Sequence, residues 1–217
     1  MNIKYLGHSS FSVKINGKTI VIDPYDPDVF GFDFPETKAD ILLLSHKDPE
    51  TRYLEGVSDY EFLIDSPGEY EIAGAFIYGL PTYHDKEEGK ERGKNTIYLI
   101  EMDGFTVLHL GSLGHELSQT VLEKIGDVDV LLIPVGGNYV IDAKTATKVI
   151  SSLEPGIVVP MHYHTEESKY DKELDKLEDF LEEMGIEKDI KKKSELKLKA
   201  ASRVPDETEV VVLEAQH

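Results

Sequence analysis

Residues 41–51 read ILLLSHKDPET. Four consecutive apolar residues followed by turn formers have the length and composition of a buried strand rather than a helix. The run stops abruptly in Ser45, His46, Lys47 and Asp48, and Pro49 removes a backbone donor just beyond. Such a stop is either a surface turn or a strand exit that presents functional side chains. Three other runs end in the same way. FIYGLPTY (76–83) delivers His84, TVLHLG (106–111) delivers Ser112, and GIVVPM (156–161) delivers His162. Polar residues at the ends of rigid strands commonly build one site. Taken singly, each histidine reads as a structural or surface residue. Three at equivalent strand ends, with carboxylates beside them, shift the reading towards a common site.

The rest of the chain supplies the sheets that such exits require. IKYLG, SFSVKI and KTIVID alternate or run apolar, and Asn16-Gly17 between the last two is a hairpin signal. Asp103-Gly104 makes a second hairpin of TIYLIEM and FTVLHLG, and YEFLI and EYEIAGAFIYGLP read as further strands. Helices are expected after residue 110: LSQTVLEKIG closed by Gly126, DAKTATKVISSL capped by Asp142, and KYDKELDKLEDFLEEMG with Leu174, Leu177, Leu181 and Met184 on one face. ELKLKA and TEVVVLEA read as a closing hairpin. Strands first, then strands alternating with helices, predict an α/β (α+β) protein: a four-layer αββα sandwich of two mixed sheets. One domain over residues 1–217 is expected, and a doubly wound parallel sheet fits the order less well.

Composition narrows function. Forty-two acidic against 23 basic residues give a net charge of −19. That balance opposes binding to nucleic-acid phosphates and to anionic membranes, so neither partner is expected. The N-terminal MNIKYLGHSS enters a strand pattern at once and does not read as a signal peptide. Without cysteine there is neither a disulfide framework nor a thiolate zinc site. A cytoplasmic location is the simplest reading.

LGHSSFSVKINGKTIVIDPY (6–25), SPGEYEIAGAFIYGLPTYHD (66–85), HLGSLGH (109–115), IPVGG (133–137) and VPMHY (159–163) together resemble the metallo-β-lactamase fold superfamily. The nearest branch is the metal-dependent hydrolases similar to ascorbate-6-phosphate lactonase. The resemblance spans nearly the whole chain and implies a metal-dependent hydrolase acting on a small ester, lactone or phosphate-containing molecule. Its metal motif, HxHxDH, is altered here: His46 matches the first His, while Asp48, Glu50 and Thr51 stand at the next three positions. His84 matches the following His, Ser112 stands at the bridging Asp, and His162 matches the last His.

The first metal position therefore keeps His46, Asp48 and His84, a workable set for zinc and equally for iron or manganese. The second keeps His162 with Glu50, but Thr51 and Ser112 are poor ligands. One zinc ion is expected, with no ion as the alternative. A single ion lowers the pKa of bound water to about 7, and the hydroxide so formed attacks the polarised substrate. Glu50 is the candidate general base and His162 its catalytic partner.

His8, which resembles a family position near the site, Arg92 and His115 are candidate substrate contacts. Arg92 lies in DKEEGKERGKN (85–95), read either as a flap gripping an anionic group or as an exposed loop whose Glu87, Glu88 and Glu91 nearly cancel its positive charge. His109 reads as a packed strand residue, and Asp23 as the organiser of a turn. Many such proteins self-associate, so a homo-oligomer is an expectation for which the sequence specifies no interface. The competing function is a catalytically inactive relative that keeps the fold as a binding or scaffold protein.

Overall fold

The computed structural model describes residues 1–170, 173–187, 190–199, 204–205 and 207–216. Along the chain the strands are β1 (Asn2–Gly7), β2 (Ser10–Ile15), β3 (Lys18–Ile22), β4 (Thr37–Lys38), β5 (Ile41–Leu43), β6 (Val57–Ser58) and β7 (Phe62–Ile64). They continue as β8 (Gly68–Ile72), β9 (Ala75–Tyr83), β10 (Lys94–Met102), β11 (Phe105–His109), β12 (Val130–Pro134), β13 (Ile157–Met161), β14 (Leu196–Lys197) and β15 (Glu209–Val210). The helices are α1 (Pro27–Phe30), α2 (Gln119–Ile125), α3 (Ala143–Leu153) and α4 (Leu177–Glu183).

Two mixed sheets carry the fold, ordered β14-β1-β2-β3-β5-β7 and β15-β13-β12-β11-β10-β9-β8. Their facing surfaces bury Phe11, Val13, Ile20, Ile22 and Leu43 of one against Ile77, Ile100, Val107, Leu132 and Val159 of the other. Outside the second sheet, Val149, Ile150, Phe180 and Leu181 of α3 and α4 pack on Leu99, Leu108, Leu131 and Val158. The outer cover of the first sheet is slighter. There Leu6, Val21, Leu42 and Leu44 meet Val57, Phe34, Leu54 and Tyr60, contributed by loops, short turns and the small β4–β6 pair.

The hairpins predicted at Asn16-Gly17 and Asp103-Gly104 form. Asn16 and Gly17 have φ 50° and 79°, Asp103 and Gly104 53° and 74°, the paired positive values of a type I′ turn. Asp142 caps α3 by accepting from the Thr145 N–H at 2.8 Å. Gly126, at φ 66°, closes α2. Three expectations change. EYEIAGAFIYGLP is not one strand, because Ala73 and Gly74, at φ 53° and 83°, fold it into the β8–β9 hairpin. The third helix starts only at Leu177, capped by Lys176, so buried Leu174 belongs to the preceding turn and loop; Asp171 and Lys172 of that segment lie outside the described residues. Among the described residues, ELKLKA and TEVVVLEA do not pair with each other. β14 adds to β1 in one sheet and β15 to β13 in the other.

Strand direction places the site. β9 and β11 are each antiparallel to β10, so they run the same way, and β11, β12 and β13 are mutually parallel. The carboxyl ends of β9, β11, β12 and β13 therefore share one edge, the edge where open α/β sheets bind ligands. The first sheet is fastened to that edge by bonds between the layers. Thr96 N–H donates to Ser45 O at 2.7 Å, the Tyr98 hydroxyl to Leu44 O at 2.9 Å, and His162 N–H to His8 O at 2.8 Å. Among the described residues no helix is long and apolar enough to cross a membrane.

His109 is another of these fasteners and is fully buried. Its Nδ1 accepts from Gly111 N–H at 3.0 Å, so its proton sits on Nε2, which donates to Ser9 O at 2.9 Å. Burial pushes this imidazole down to about 4, the Ser9 bond opposing. The unfolded chain, with a histidine near 6.5, binds this proton first as pH falls. Its contribution to stability is thus complete above pH 6.5 and shrinks as pH falls towards 4. Denaturant unfolding at pH 7 and pH 5 should show a loss of about 2 kcal/mol from this group alone, and His109→Gln should remove that share of the slope.

Candidate functional site

The exit of β5 is held by a chain of buried hydrogen bonds that begins on β3. Asp23 is 1 % exposed and accepts from Ser45 N–H at 2.7 Å and from Ser45 Oγ at 2.6 Å. Burial raises this carboxyl to about 6, with the two Ser45 bonds opposing, so it is ionised at neutral pH and can only accept. The single Ser45 hydroxyl proton therefore goes to Asp23, and Ser45 Oγ accepts from His46 Nδ1 at 2.7 Å. Burial, then the neighbouring His84, lower His46 to about 3, Asp48 opposing, so the ring is neutral. With its one proton on Nδ1, Nε2 is a bare lone pair. The Thr51 hydroxyl donates to it at 2.8 Å.

Pro49–Thr51 form one turn of 3-10 helix, which brings Thr51 back onto His46. The same turn aims Asp48 inward: its Oδ2 lies 3.8 Å from His46 Nε2 and 3.4 Å from His84 Nδ1. The His84 imidazole holds the Asp48 carboxyl below the usual carboxylate range. Arg52 pairs instead with Asp65 at 3.2 Å.

His84 and His162, 4 % and 3 % exposed, complete the wall. Their backbones are fixed by close approach of glycines: a Cβ on Gly114 would lie 2.4 Å from Asp85 N, and one on Gly136 2.3 Å from His162 O. The Gly136-Gly137 pair is thus a packing requirement. The His162 ring lies 3.9 Å from that of His8, which sits 4.3 Å from Phe30. Burial, then the nearby His8, hold His162 well below the ordinary imidazole value. His84 Nε2, both ring nitrogens of His162 and Ser112 Oγ are buried and make no hydrogen bond among the described residues. These residues line one cavity of about 500 Å³, together with His8, His46, Asp48, Glu50, Thr51 and Arg92.

The structure thus gathers His8, His46, Asp48, Glu50, His84, Arg92 and His162 around one space. It does not bring His115 there. Nδ1 of that ring bonds to Glu116 O at 2.7 Å and Nε2 accepts from Tyr83 N–H at 3.1 Å, so both nitrogens are engaged away from the cavity.

The 85–95 loop is more ordered than its charge suggests. The Asp85 carboxylate accepts four backbone N–H bonds, from Glu87, Gly89, Glu91 and Arg92, at 2.8–3.1 Å. Burial works against them, yet together they bring its carboxyl down to about 2. That cradle sets Arg92, whose guanidinium lies 5.0 Å over the Tyr139 ring on the cavity wall. Sequence reasoning missed Asp85, Tyr139 and Asn95. Buried Asn95 donates to Thr82 Oγ1 and Leu110 O and accepts from Ser112 N–H, tying the exits of β9 and β11 to the start of β10. Asp85 directly after His84, at the head of a glycine-bearing loop, was the one legible signal.

Metal fit can be judged from the donor atoms. A tetrahedral ion with arms of about 2.0–2.1 Å leaves its ligands roughly 3.3 Å apart. Asp48 and His84 stand at that separation, and His46 lies about half an ångström beyond it. As they stand, no three His, Asp or Glu side chains among the described residues close around one point. The donor chemistry fits a divalent ion, and the set stands open at His46, whose ring centroid lies 5.2 Å from that of His84.

Residues 2–162 match the family model of the beta-lactamase superfamily domain. Metal-dependent hydrolases of Pyrococcus horikoshii and Thermococcus kodakarensis are each 28 % identical over 193 residues, 76 % of this chain and 85 % of theirs. A crystal structure from Thermotoga maritima, assigned to the Zn-dependent hydrolases of the metallo-beta-lactamase superfamily, superposes with a TM-score of 0.80. It is 36 % identical and covers 99 % of both chains. The metallo hydrolase Igni18 of Ignicoccus hospitalis shares the fold, with a TM-score of 0.60, 22 % identity, and 75 % and 82 % coverage of this chain and its own.

Removing the Asp85 carboxylate should release the loop without unfolding the sheets. In Asp85→Ala, amide hydrogen exchange at residues 87–92 should rise by about tenfold or more, with β10 and β11 unchanged.

Proposed function

The chain belongs to the metallo-β-lactamase superfamily, and on that premise we propose that it is a metal-dependent hydrolase whose cavity holds one divalent ion. The observation that carries this reading is a set of four buried polar atoms without partners among the described residues, His84 Nε2, both ring nitrogens of His162 and Ser112 Oγ, on residues that line the same cavity as Asp48 and His46. Buried polar atoms are rarely left unpaired in a folded protein, so this set is accounted for by something polar that it receives.

His46, Asp48 and His84 are the residues that would hold the ion. Ser45 fixes the His46 tautomer so that a bare Nε2 faces inward, the arrangement that outer carboxylate or hydroxyl partners give to ligating histidines. Zinc suits two imidazoles and a carboxylate, and iron or manganese suits the same donors. Thr51 and Ser112 offer neutral hydroxyls where a second ion needs charge, which supports one ion over two. When bound, such an ion would lower the pKa of water there to about 7 and polarise the bond under attack.

The remaining roles fall to side chains on the same wall. To Glu50, half-buried and lining the cavity, we assign the part of taking a proton from attacking water. Arg92, steadied over Tyr139, is placed to grip an anionic group. His8 and His162, their rings tilted at 52° to each other and 3.9 Å apart, line the same cavity. The substrate class this favours is a small ester, lactone or phosphate-containing molecule, in a cytoplasmic setting consistent with a chain that lacks cysteine. The second reading, an inactive relative, is favoured by one observation: Thr51 occupies the His46 lone pair.

Metal analysis by mass spectrometry on untagged protein should find one equivalent, lost in both His46→Ala and His84→Ala. The double variant Thr51→His/Ser112→Asp should take up a second equivalent. No uptake from excess zinc, iron or manganese by correctly folded wild type would leave the inactive-relative reading standing.

A further inference from the structure

We propose that Thr51 is a latch on the metal site: its hydroxyl caps His46 Nε2 in the ion-free protein, and the ion must displace it to bind. This inference rests on the metal reading above and names what controls loading of that site.

The geometry has three parts. First, the lone pair is defined. Asp23 consumes the Ser45 hydroxyl proton and Ser45 Oγ consumes the His46 Nδ1 proton, so Nε2 must accept, and Thr51 Oγ1 at 2.8 Å is its donor. An imidazole nitrogen cannot hold this bond and an ion on one lone pair. Second, the hydroxyl has somewhere else to go. Thr51 Oγ1 also lies 3.2 Å from the Asp48 carbonyl oxygen, within the same 3-10 turn. Releasing His46 therefore moves one proton between two acceptors and strands no buried donor. Third, the latch explains why the donor set is not closed. Asp48 and His84 already stand 3.4 Å apart, while His46 Nε2, held by Thr51, is 3.8 Å from Asp48.

Thr51 is 4 % exposed, at the end of its 3-10 turn and on the wall of the cavity. The latch works against every ion equally at His46, so it weakens zinc and manganese by the same factor and leaves the order between them to imidazole affinity, in which zinc stands higher. It should be a brake on affinity rather than a block.

The test measures dissociation constants for zinc and manganese by competition with a chelating indicator, on wild type, Thr51→Val and Thr51→Ser. Valine keeps the shape and removes the hydroxyl. Serine keeps the hydroxyl and serves as control, with thermal melts confirming that each variant folds. One net hydrogen bond corresponds to about fivefold in an equilibrium constant. Thr51→Val should bind zinc about fivefold tighter than wild type, and Thr51→Ser as wild type does. Binding by Thr51→Val alone would also support the latch, as an extreme case of it. If wild type binds zinc and Thr51→Val binds equally or more weakly, the latch is overturned while the metal site stands. If neither binds, the metal reading fails and the latch fails with it. Imidazole nitrogen NMR on wild type gives a check free of mutation. His46 should show the proton on Nδ1 throughout, and a zinc titration should shift Nε2 and release a slowly exchanging Thr51 hydroxyl proton. A Thr51 hydroxyl signal unchanged by bound zinc would refute displacement.

Discussion

Asp23 is a carboxylate sealed at the end of β3, and the geometry of the cavity wall beside it follows from what that charge can accept. Raising its carboxyl from 3.8 to about 6 corresponds to roughly 3 kcal/mol of net cost for the ionised form, the part of the burial cost that the Ser45 bonds do not offset. In return, both polar groups of Ser45 are satisfied in a place water does not reach, and the hydroxyl proton has only one destination. That choice propagates: Ser45 can only accept from His46, and His46 can only present a bare Nε2. One buried charge thus determines a tautomer two residues away in the bonded chain. β3 and β5 are parallel neighbours, so the carboxylate and the exit it governs meet by strand pairing alone.

The same edge stores backbone strain. His8, Asp23 and His162 have φ of 51°, 47° and 52°, in the left-handed region that residues with a Cβ enter at a cost. Each such residue costs on the order of 1–3 kcal/mol and persists only where its surroundings over-determine it. Here they do. His8 O is bonded by the Tyr5 hydroxyl at 2.8 Å and by His162 N–H, so two of the strained residues hold each other across the sheets. The strain turns both rings to face one another at the cavity instead of continuing along their strands.

Much of this was legible in the sequence, and the reasons divide cleanly. Strand exits were readable because a run such as ILLLS has a composition and an end; the directions that put those ends on one edge come from the pairing of β9, β12 and β13 in the sheet, which no local signal carries. The Ala73-Gly74 turn was overlooked because apolar residues on both sides of it sustain the appearance of one strand. The third helix was overextended because the periodicity of Leu174, Leu177 and Leu181 continues through a turn whose geometry is set by tertiary bonds. One of these runs from Asp175 N–H to Gly136 O at 2.7 Å. The place of His115 in SLGH suggests the site, but Gly114 packs on the backbone of His84 and Asp85, and the His115 ring bonds to Tyr83 N–H and Glu116 O instead. Asp85 itself escaped notice because its role is to accept backbone N–H groups, a function that leaves no spacing motif.

Thr51 shows how much one side chain can change without changing the fold. An imidazole at this position would compete with His46 for a proton and offer a second ligand; a hydroxyl offers a proton instead. The position thereby passes from supplying a lone pair to consuming one, and the consumed lone pair is the one that Asp23 and Ser45 have oriented. The outer partners of the site are intact while its inner acceptor is engaged. A site built this way keeps its cost of preorganisation in the protein, in Asp23 and the strained turns, and leaves the occupant to break only one neutral hydrogen bond. Loading then depends on a term of about 1 kcal/mol, small enough to be set by a single methyl-for-hydroxyl exchange against a scaffold whose individual strained residues cost as much or more.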